Sequence, residues 1–568
     1  MLAPMHEDSR NHPPSSPSPA AAIWPAPAHG WRSGASSRSR AVVPLIAMLL
    51  ACSGPEPLAD AGRDAGTVDA STADASTADA STPGLDASTA DAATTGDAGT
   101  SRTPCWPFDQ PPIDSLRASP RKVFAHYFSP YPISLDTQPA ETDYYTRNYL
   151  DPDGEGGIHR DYGGLLRERP WPRPPWPAGS EWEVLDMETE VRRAIAIGLD
   201  GFAFDVLNPN PSSPHRRRLD ALLTAVERVD PGFSIQLILD MTASSFGGSG
   251  GSDEAAMNGI RTLFDAVGSS PVLQRLDDGR LVVSAFAAER RSAAFWNDAL
   301  AELEAMGRRV AFVPMPIGSW PSNRDRFDGV PLYGASSWGS GTVSGAEGLR
   351  NVIAGVHADG LVWMAPVRPQ DSRPKAQTYV ESSNSAAYRA QWLAAIEGGA
   401  DWVQIITWND YSEDSEIAPS TRINAAFYDL AAYYTTWLKT GSQPPIARDA
   451  LYYFHRTHSI DPTVAVPSAM VEPFRAVNGP PGEDFIEVVG LLRAPATLEI
   501  EIGGETHRQD VGAGVQSFRI PLVEGTPVFR VLRGGAVALE LTSASPISNT
   551  IAYQDPLYHA GGSSTCAM

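Results

Sequence analysis

From Lys122 to Thr407, short and almost continuous apolar runs alternate with stretches whose apolar positions recur every three or four residues. The runs are KVFAHYF (122–128), GFAFDVL (201–207), FSIQLILDM (233–241), LVVSAF (281–286), RVAFVPMP (309–316), PLYGASSW (331–338), LVWMAPV (361–367) and DWVQIIT (401–407). Amphipathic segments such as DMETEVRRAIAIGL and PHRRRLDALLTAVERV lie between them. A strand that is apolar on both faces needs cover on both, which means a parallel sheet wrapped by helices. Eight such repeats predict the α/β class and a (β/α)8 TIM barrel. The long first connection, 129–185, is rich in Trp, Tyr and Pro and reads as a structured lid or cleft wall. After residue 455 the period changes to two: FIEVVGL, ATLEIEIGG, THRQDV, QSFRIPL, PVFRVLRGG and AVALELTS alternate apolar and polar positions and are separated by Gly-rich turns. That pattern predicts an antiparallel β-sandwich that packs on the barrel or binds glycan. The expected division is a barrel over 105–455 and a sandwich with a C-terminal tail over 456–568.

The chain ahead of the barrel has another character. Arg32, Arg38 and Arg40 precede AVVPLIAMLLAC, whose apolar run from Ala41 to Ala51 is too short for a mature span but suits a signal-peptide core. Its end, LLAC, resembles a bacterial lipobox, with Cys52 as the lipidated residue; a plain secretory signal cleaved near Ala51 is the other reading. Residues 53–104 are Asp, Ala, Ser, Thr and Gly with almost nothing apolar, so they cannot offset the entropy of ordering and read as a disordered tether. The expectation is an exported protein, anchored by lipid at the outer membrane or cell surface and touching the membrane only through that anchor. Cys105 and Cys566 flank the folded region, and whether they pair is open.

Composition narrows the partners. Of 568 residues, 42% are hydrophobic and 20% charged, and the net charge of −23 disfavours phosphate backbones and anionic lipid, so no nucleic acid is expected. Fourteen Trp and 17 Tyr supply faces on which sugars stack. Gly-rich phosphate loop, HExxH, nucleophile elbow and CxxC motifs are all missing from the sequence, and neither a cofactor nor a metal is expected. A monomer acting on a polysaccharide is the resulting picture.

A (β/α)8 barrel works at the C-terminal ends of its strands. Those ends offer His126 and Tyr127 on the first strand, Asp205 and Asn208 on the second, Asp240 on the third, Glu289 past the fourth and Trp338 on the sixth. The eighth offers Trp408, Asn409, Asp410, Tyr411 and Glu413. Paired carboxyl groups among His, Asn and aromatic side chains suit glycoside hydrolysis, in which one acid protonates the leaving oxygen and the other activates water or attacks. Asp410 and Glu413 are the expected pair. Asp414 and Glu416 read as solvated loop acids.

The segments FAHYF, GLDGFAFDVLN, LILDM, WMAPV and QIITWNDYSEDSEIAP resemble glycoside hydrolase family 71, the α-1,3-glucanases or mutanases. The most specific match is TWNDYSED, where the family reads TWNDYGES. The resemblance implies a (β/α)8 barrel with a C-terminal β-sandwich, and an inverting mechanism. It implies Asp410 and Glu413 as the catalytic pair, with Glu413 favoured as acid, and Asp200, at the start of the second strand, as a further functional acid. The chain also departs from the family. Ser412 replaces a Gly, Asp414–Ser415–Glu416 replace Ser-His-Tyr, Phe204–Asp205 replace Leu-Asn, and Ala287 stands where the family carries an acid, with Glu289 close by. The expected function is hydrolysis of α-1,3-glucan or a related cell-wall glucan, endo-acting. The alternatives are an α-mannan hydrolase of a sister barrel family, or a glycan-binding lipoprotein without activity.

Overall fold

Eight parallel strands carry the first half of the pattern: β1 (Lys122–Phe128), β2 (Gly201–Val206), β3 (Ser234–Asp240), β4 (Leu281–Phe286), β5 (Val310–Met315), β6 (Gly334–Ala335), β7 (Val362–Val367) and β8 (Trp402–Ile405). This computed structural model describes residues 106–470 and 472–564. The export signal, the tether, Cys52, Cys105 and Cys566 lie outside the described residues. The strands are hydrogen-bonded in the order β5-β4-β3-β2-β1-β8-β7-β6. Between β5 and β6 the ring is bridged by backbone bonds from Tyr333 to Phe312 (3.0 Å), Ser336 to Pro314 (3.1 Å) and Trp338 to Pro316 (3.1 Å). β6 is shorter than the predicted 331–338 run. Helices Trp182–Ala196, Pro214–Val229, Asp253–Val267, Ala293–Ala305, Val343–Ala358, Ala386–Gly398 and Ala426–Thr440 cover the outside. Nearly every strand residue is buried, as a sheet covered on both faces requires. Among the described residues no helix is long and apolar enough to cross a membrane.

The antiparallel part has two four-stranded sheets. All six predicted strands are present, as Phe485–Leu492, Ala496–Ile502, Glu505–Val511, Gly514–Pro521, Val528–Arg533 and Ala536–Thr542. Two more complete the sheets, Ala450–His455 and His559–Gly562. The first of these falls before the expected boundary at 455, yet it pairs with Phe485–Leu492 on one side and His559–Gly562 on the other. Its alternation divides it between two cores: Ala450, Tyr452 and Phe454 join the barrel core, while Leu451 and Tyr453 join the sandwich core. The junction is polar as well. Tyr452 donates to Asp429 (3.0 Å), and the fully buried Glu487 accepts from Ser385 (2.7 Å) and Arg389 (2.6 Å).

The lid segment after β1 folds as short helical turns around Tyr145, Gly154 and Arg160. Phe128, Tyr131, Tyr145, Leu165 and Leu166 pack there with Leu207 and Tyr411, which ties the segment to the ends of β2 and β8.

Asp200 corrects an expectation. It opens β2, at the N-terminal face of the barrel, so the length of a strand separates it from the mouth. Its carboxylate accepts from the Val123 N–H (2.7 Å) and pairs with Lys439 at 2.7 Å and Lys122 at 3.7 Å. Lys439 is buried, so Asp200 is a structural counter-ion. Removing one partner of such a pair strands the other charge, and Asp200→Asn is expected to destabilise the fold by about 3 kcal/mol. Denaturant unfolding combined with kinetics checks this: turnover at saturating substrate should be kept, and its loss in a folded variant would return Asp200 to the active site.

Candidate active site

The strand rule places one end of every barrel strand at the mouth, but strand alternation decides which side chains face it. On β1, His126 points inward and Tyr127 outward. The Tyr127 hydroxyl lies 3.2 Å from the Met187 sulfur in the first covering helix, so Tyr127 is a packing residue rather than a substrate contact. His126 is 2% exposed. Its Nδ1 faces the Gln404 side-chain amide at 3.3 Å, its Nε2 lies 3.7 Å from Asp205 Oδ2, and its ring meets Trp338 edge-on at 4.9 Å. The Gln404 NH2 is a donor, which makes Nδ1 the acceptor and leaves the proton on Nε2. Burial pushes the His126 pKa down to about 4, against the opposing pull of the Asp240 and Glu413 charges, so the ring is neutral near pH 7.

Asp205 and Asp240 complete the floor. Burial raises Asp205 to about 8, and burial together with the Asp205 charge raises Asp240 to about 7. Asp240 is steadied by the Thr242 N–H (2.7 Å) and hydroxyl (2.6 Å). One oxygen of each, Asp205 Oδ1 and Asp240 Oδ2, is buried without a hydrogen-bond partner in the chain, as acceptors awaiting a hydroxyl donor would be. Glu289, on the turn after β4, has an unpartnered buried oxygen too, and burial raises its pKa. Trp338 stands over this floor, with Phe286 4.7 Å from it, ring to ring.

The loop after β8 supplies the remaining acids. It leaves the barrel through a cis Ile406–Thr407 peptide and returns at once, with Thr407 bonded to Ser415 (2.7 Å) and Ile417 bonded back to Thr407 (3.1 Å). Most of its side chains anchor it. Trp408 is fully buried between Phe202 and Tyr428, and its indole N–H donates to Glu190. Asn409 is fully buried; its oxygen accepts from the Phe128 N–H (2.7 Å) and its NH2 donates to the Phe128 (3.0 Å) and Tyr131 (2.8 Å) carbonyls. Tyr411 sits in the aromatic cluster under the lid. These three were expected to contact substrate; the structure spends all of them on holding the loop. Asp414 and Glu416 are corrected in the opposite sense. They are fully buried rather than solvated, and lie close enough to Glu168 for burial and mutual repulsion to push both well above the usual carboxylate range.

Asp410 and Glu413 remain, and their surroundings differ. Asp410 accepts from the Ser412 N–H (3.0 Å) and hydroxyl (2.6 Å), and its own N–H donates to Thr407 Oγ1 (2.8 Å). Burial raises it to about 6, with the Ser412 bonds holding it lower than burial alone would. Glu413 pairs with Arg373 at 2.9 Å. Burial pushes it up to about 8, the Asp410 and Asp371 charges add to that, and Arg373 and Arg368 oppose it. Asp371 links the two arginines, at 2.6 Å from Arg368 and 2.7 Å from Arg373, and so absorbs much of their charge. Burial raises both carboxyl groups, and with Ser412 on one and Arg373 on the other, two acids on one loop sit in unlike environments, which acid–base hydrolysis can use. Asn208 lies outside this floor, on the rim beyond β2, where its oxygen accepts from the Asn210 N–H (3.0 Å).

Arg373, Asp371, Arg368 and Gln404 were not anticipated, and Ser412 was noted only as a departure from the family. Arg368 directly follows the end of β7, so the strand-end rule applied to that strand would have found it. Arg373 and Asp371 arrive on a small hairpin, Asp371–Arg373 with Thr378–Val380, that no periodic pattern announces.

Comparison with known proteins shows the family to which the chain is similar. A model of glycosyl hydrolase family 71 matches residues 178–559. A glucan endo-1,3-alpha-glucosidase of Schizosaccharomyces pombe is 26% identical over 419 residues, which are 66% of this chain and 92% of the relative. The ascus wall endo-1,3-alpha-glucanase of the same yeast is 24% identical over 403 residues, 62% of this chain and 87% of the relative. Among solved structures, a GH99 endo-alpha-mannosidase from Bacteroides thetaiotaomicron aligns with a TM-score of 0.43 at 13% identity, covering 56% of this chain and 97% of that one.

The two carboxyl groups predict a bell-shaped pH dependence. Activity should rise as pH passes the Asp410 value of about 6, where the base ionises, and fall past the Glu413 value of about 8, where the acid loses its proton, each limb reporting the coupled pair. Ser412→Gly, which restores the residue typical of the family, removes a hydroxyl that favours ionised Asp410. It should move the acidic limb of kcat/KM upward by about one pH unit, with a smaller upward shift of the alkaline limb because the two groups titrate together.

Proposed function

The chain belongs to glycosyl hydrolase family 71, and from that membership and the site we propose that it is an endo-acting, inverting hydrolase of α-1,3-glucan held at the cell surface by a lipid anchor. The observation that carries the mechanism is a pair of buried carboxyl groups on one loop in unlike surroundings, Asp410 accepting from the Ser412 N–H and hydroxyl and Glu413 paired with Arg373. Glu413, protonated, donates to the glycosidic oxygen as the bond breaks. Asp410, ionised and oriented by Ser412, takes a proton from water attacking the opposite face of the ring. Asp240, which titrates near neutrality, can offset the positive charge gathering on the sugar, protonated Asp205 can donate to a sugar oxygen, and neutral His126 donates from Nε2 without adding positive charge. Trp338 offers a face for the ring.

The substrate class is supported by the two yeast relatives, both named as endo-1,3-α-glucan enzymes. The tether reading rests on the Arg-flanked apolar run ending in LLAC, followed by the Asp- and Ala-rich segment. A pair of buried acids in unlike environments speaks against a binding protein without activity, because burying carboxyl groups costs stability that binding alone does not require.

Product analysis by NMR on α-1,3-glucan, with α-mannan alongside, tests the proposal. The β-anomer should appear first. Early α-anomer would overturn inversion, and release from α-mannan alone would overturn the substrate. Glu413→Gln should lower kcat by about three orders of magnitude, the middle of the range for loss of a general acid.

A further inference from the structure

Charged and titratable groups reach Glu413 from several elements. His126 acts on it from β1, Asp410 from the same loop, Arg368 from the residue after β7, and Asp371 and Arg373 from the hairpin Asp371–Arg373 with Thr378–Val380. The hairpin holds the acid twice. Arg373 Nη2 donates to Glu413 Oε2 at 2.9 Å, and the Ser372 N–H donates to the Glu413 carbonyl at 2.7 Å. Side chain and backbone are thereby fixed from one direction.

Arg373 does not serve Glu413 alone. Its Nε donates to Asp371 Oδ1 and the same Nη2 to Asp371 Oδ2, both at 2.7 Å. Asp371 Oδ2 also accepts from Arg368 at 2.6 Å. Asp371 and Arg368 are buried, where charges are weakly screened. One carboxylate therefore stands between two guanidinium groups and shares both with the acid.

The hairpin is itself clamped. Arg475 and Ala476 pair with Thr378 and Tyr379 as a third strand, and the Val477 N–H donates to the Tyr379 carbonyl at 2.9 Å. Gln370, just before the hairpin, accepts from the Tyr558 N–H at 2.9 Å. Glu381, just after it, is fully buried and accepts from Arg456 (3.0 Å), the Tyr558 hydroxyl (2.6 Å) and the Glu483 N–H (3.0 Å). Each of these partners lies beyond residue 455, so the sandwich side of the chain holds the hairpin at both ends.

We propose that Arg373 and Asp371 are positioning residues for the reacting acid: Arg373 aims the Glu413 carboxyl, and Asp371 takes up enough of the arginine charge for that carboxyl to keep the proton it delivers to the leaving oxygen. Burial alone would leave Glu413 protonated but unaimed. Arg373 without Asp371 would aim it but favour its ionised form. The inference rests on the reading of Glu413 as general acid. It gives the hairpin, and through it the sandwich, a part in hydrolysis.

The test is the pH profile of kcat/KM on an α-1,3-linked gluco-oligosaccharide for wild type, R373Q, R373K and D371N, with kcat and KM separated and melting temperatures read alongside. R373Q removes the cation. It should lower kcat about tenfold with KM little changed, and move the alkaline limb up by about one pH unit. D371N bares both arginines and should move the same limb down by about as much. R373K keeps the charge without the planar fork, so the limb should return close to its wild-type position while kcat stays reduced. A merely loosened fold would not shift the limb in opposite directions. Should D371N fail to fold, the R373Q and R373K pair carries the test. An alkaline limb that stays in place in R373Q, or that R373K leaves where R373Q put it, overturns the proposal, as do shifts of the same sign in R373Q and folded D371N. Wild type that cleaves no such oligosaccharide overturns the glucanase reading instead, and E413Q with wild-type rate and alkaline limb overturns Glu413 as the acid.

Discussion

The Asn409 side chain is the contact on which the site depends. A loop that carries two buried acids, Asp410 and Glu413, must cross a dry region without a strand or helix to satisfy its neighbours. Asn409 solves this with one fully buried amide that serves the Phe128 N–H and the carbonyls of Phe128 and Tyr131. The end of β1 and the start of the lid are thereby fixed to the end of β8. With Trp408 driven into the barrel wall beside it, the backbone of Asp410 has one place to go. The acids can then be desolvated, because the loop's position does not depend on them.

Desolvation sets the chemistry in turn. Buried carboxyl groups hold protons near neutrality, and small differences in donor supply decide which of them gives its proton up first. Ser412 tips Asp410 towards ionisation, and the Arg368–Asp371–Arg373 chain moderates Glu413 without holding it fully charged. The same principle works at the back of the loop. Glu168, Asp414 and Glu416 crowd together there, out of water, in the segment where this chain parts from the family pattern.

Much of this architecture was legible from periodicity alone. Barrel strands buried on both faces read as continuous apolar runs, and the six sandwich strands read as alternation. Ala450–His455 fell on the barrel side of the expected boundary and was named as no strand, because it is buried on both faces and shows no alternation. His559–Gly562 was missed because HAGG carries no pattern. At the candidate site, the strand-end rule named His126, Asp205, Asp240, Trp338, Asp410 and Glu413, all of which are buried at the strand ends or on the loop after β8. It could not separate them from Tyr127, Trp408, Asn409 and Tyr411, because linear spacing in a loop does not say which way a side chain turns. Asp200 entered by family resemblance alone, and its position at the foot of a strand makes it a charge partner for a buried lysine.

The strand Ala450–His455 bears on how such enzymes can be rearranged. Its odd and even residues belong to different cores, so no cut in the chain separates barrel from sandwich without opening one of them. Although the sequence changes texture near this point like a join between two modules, the two halves share a seam. A lineage that gained or lost the sandwich would have had to rebuild the wall of the barrel at the same time.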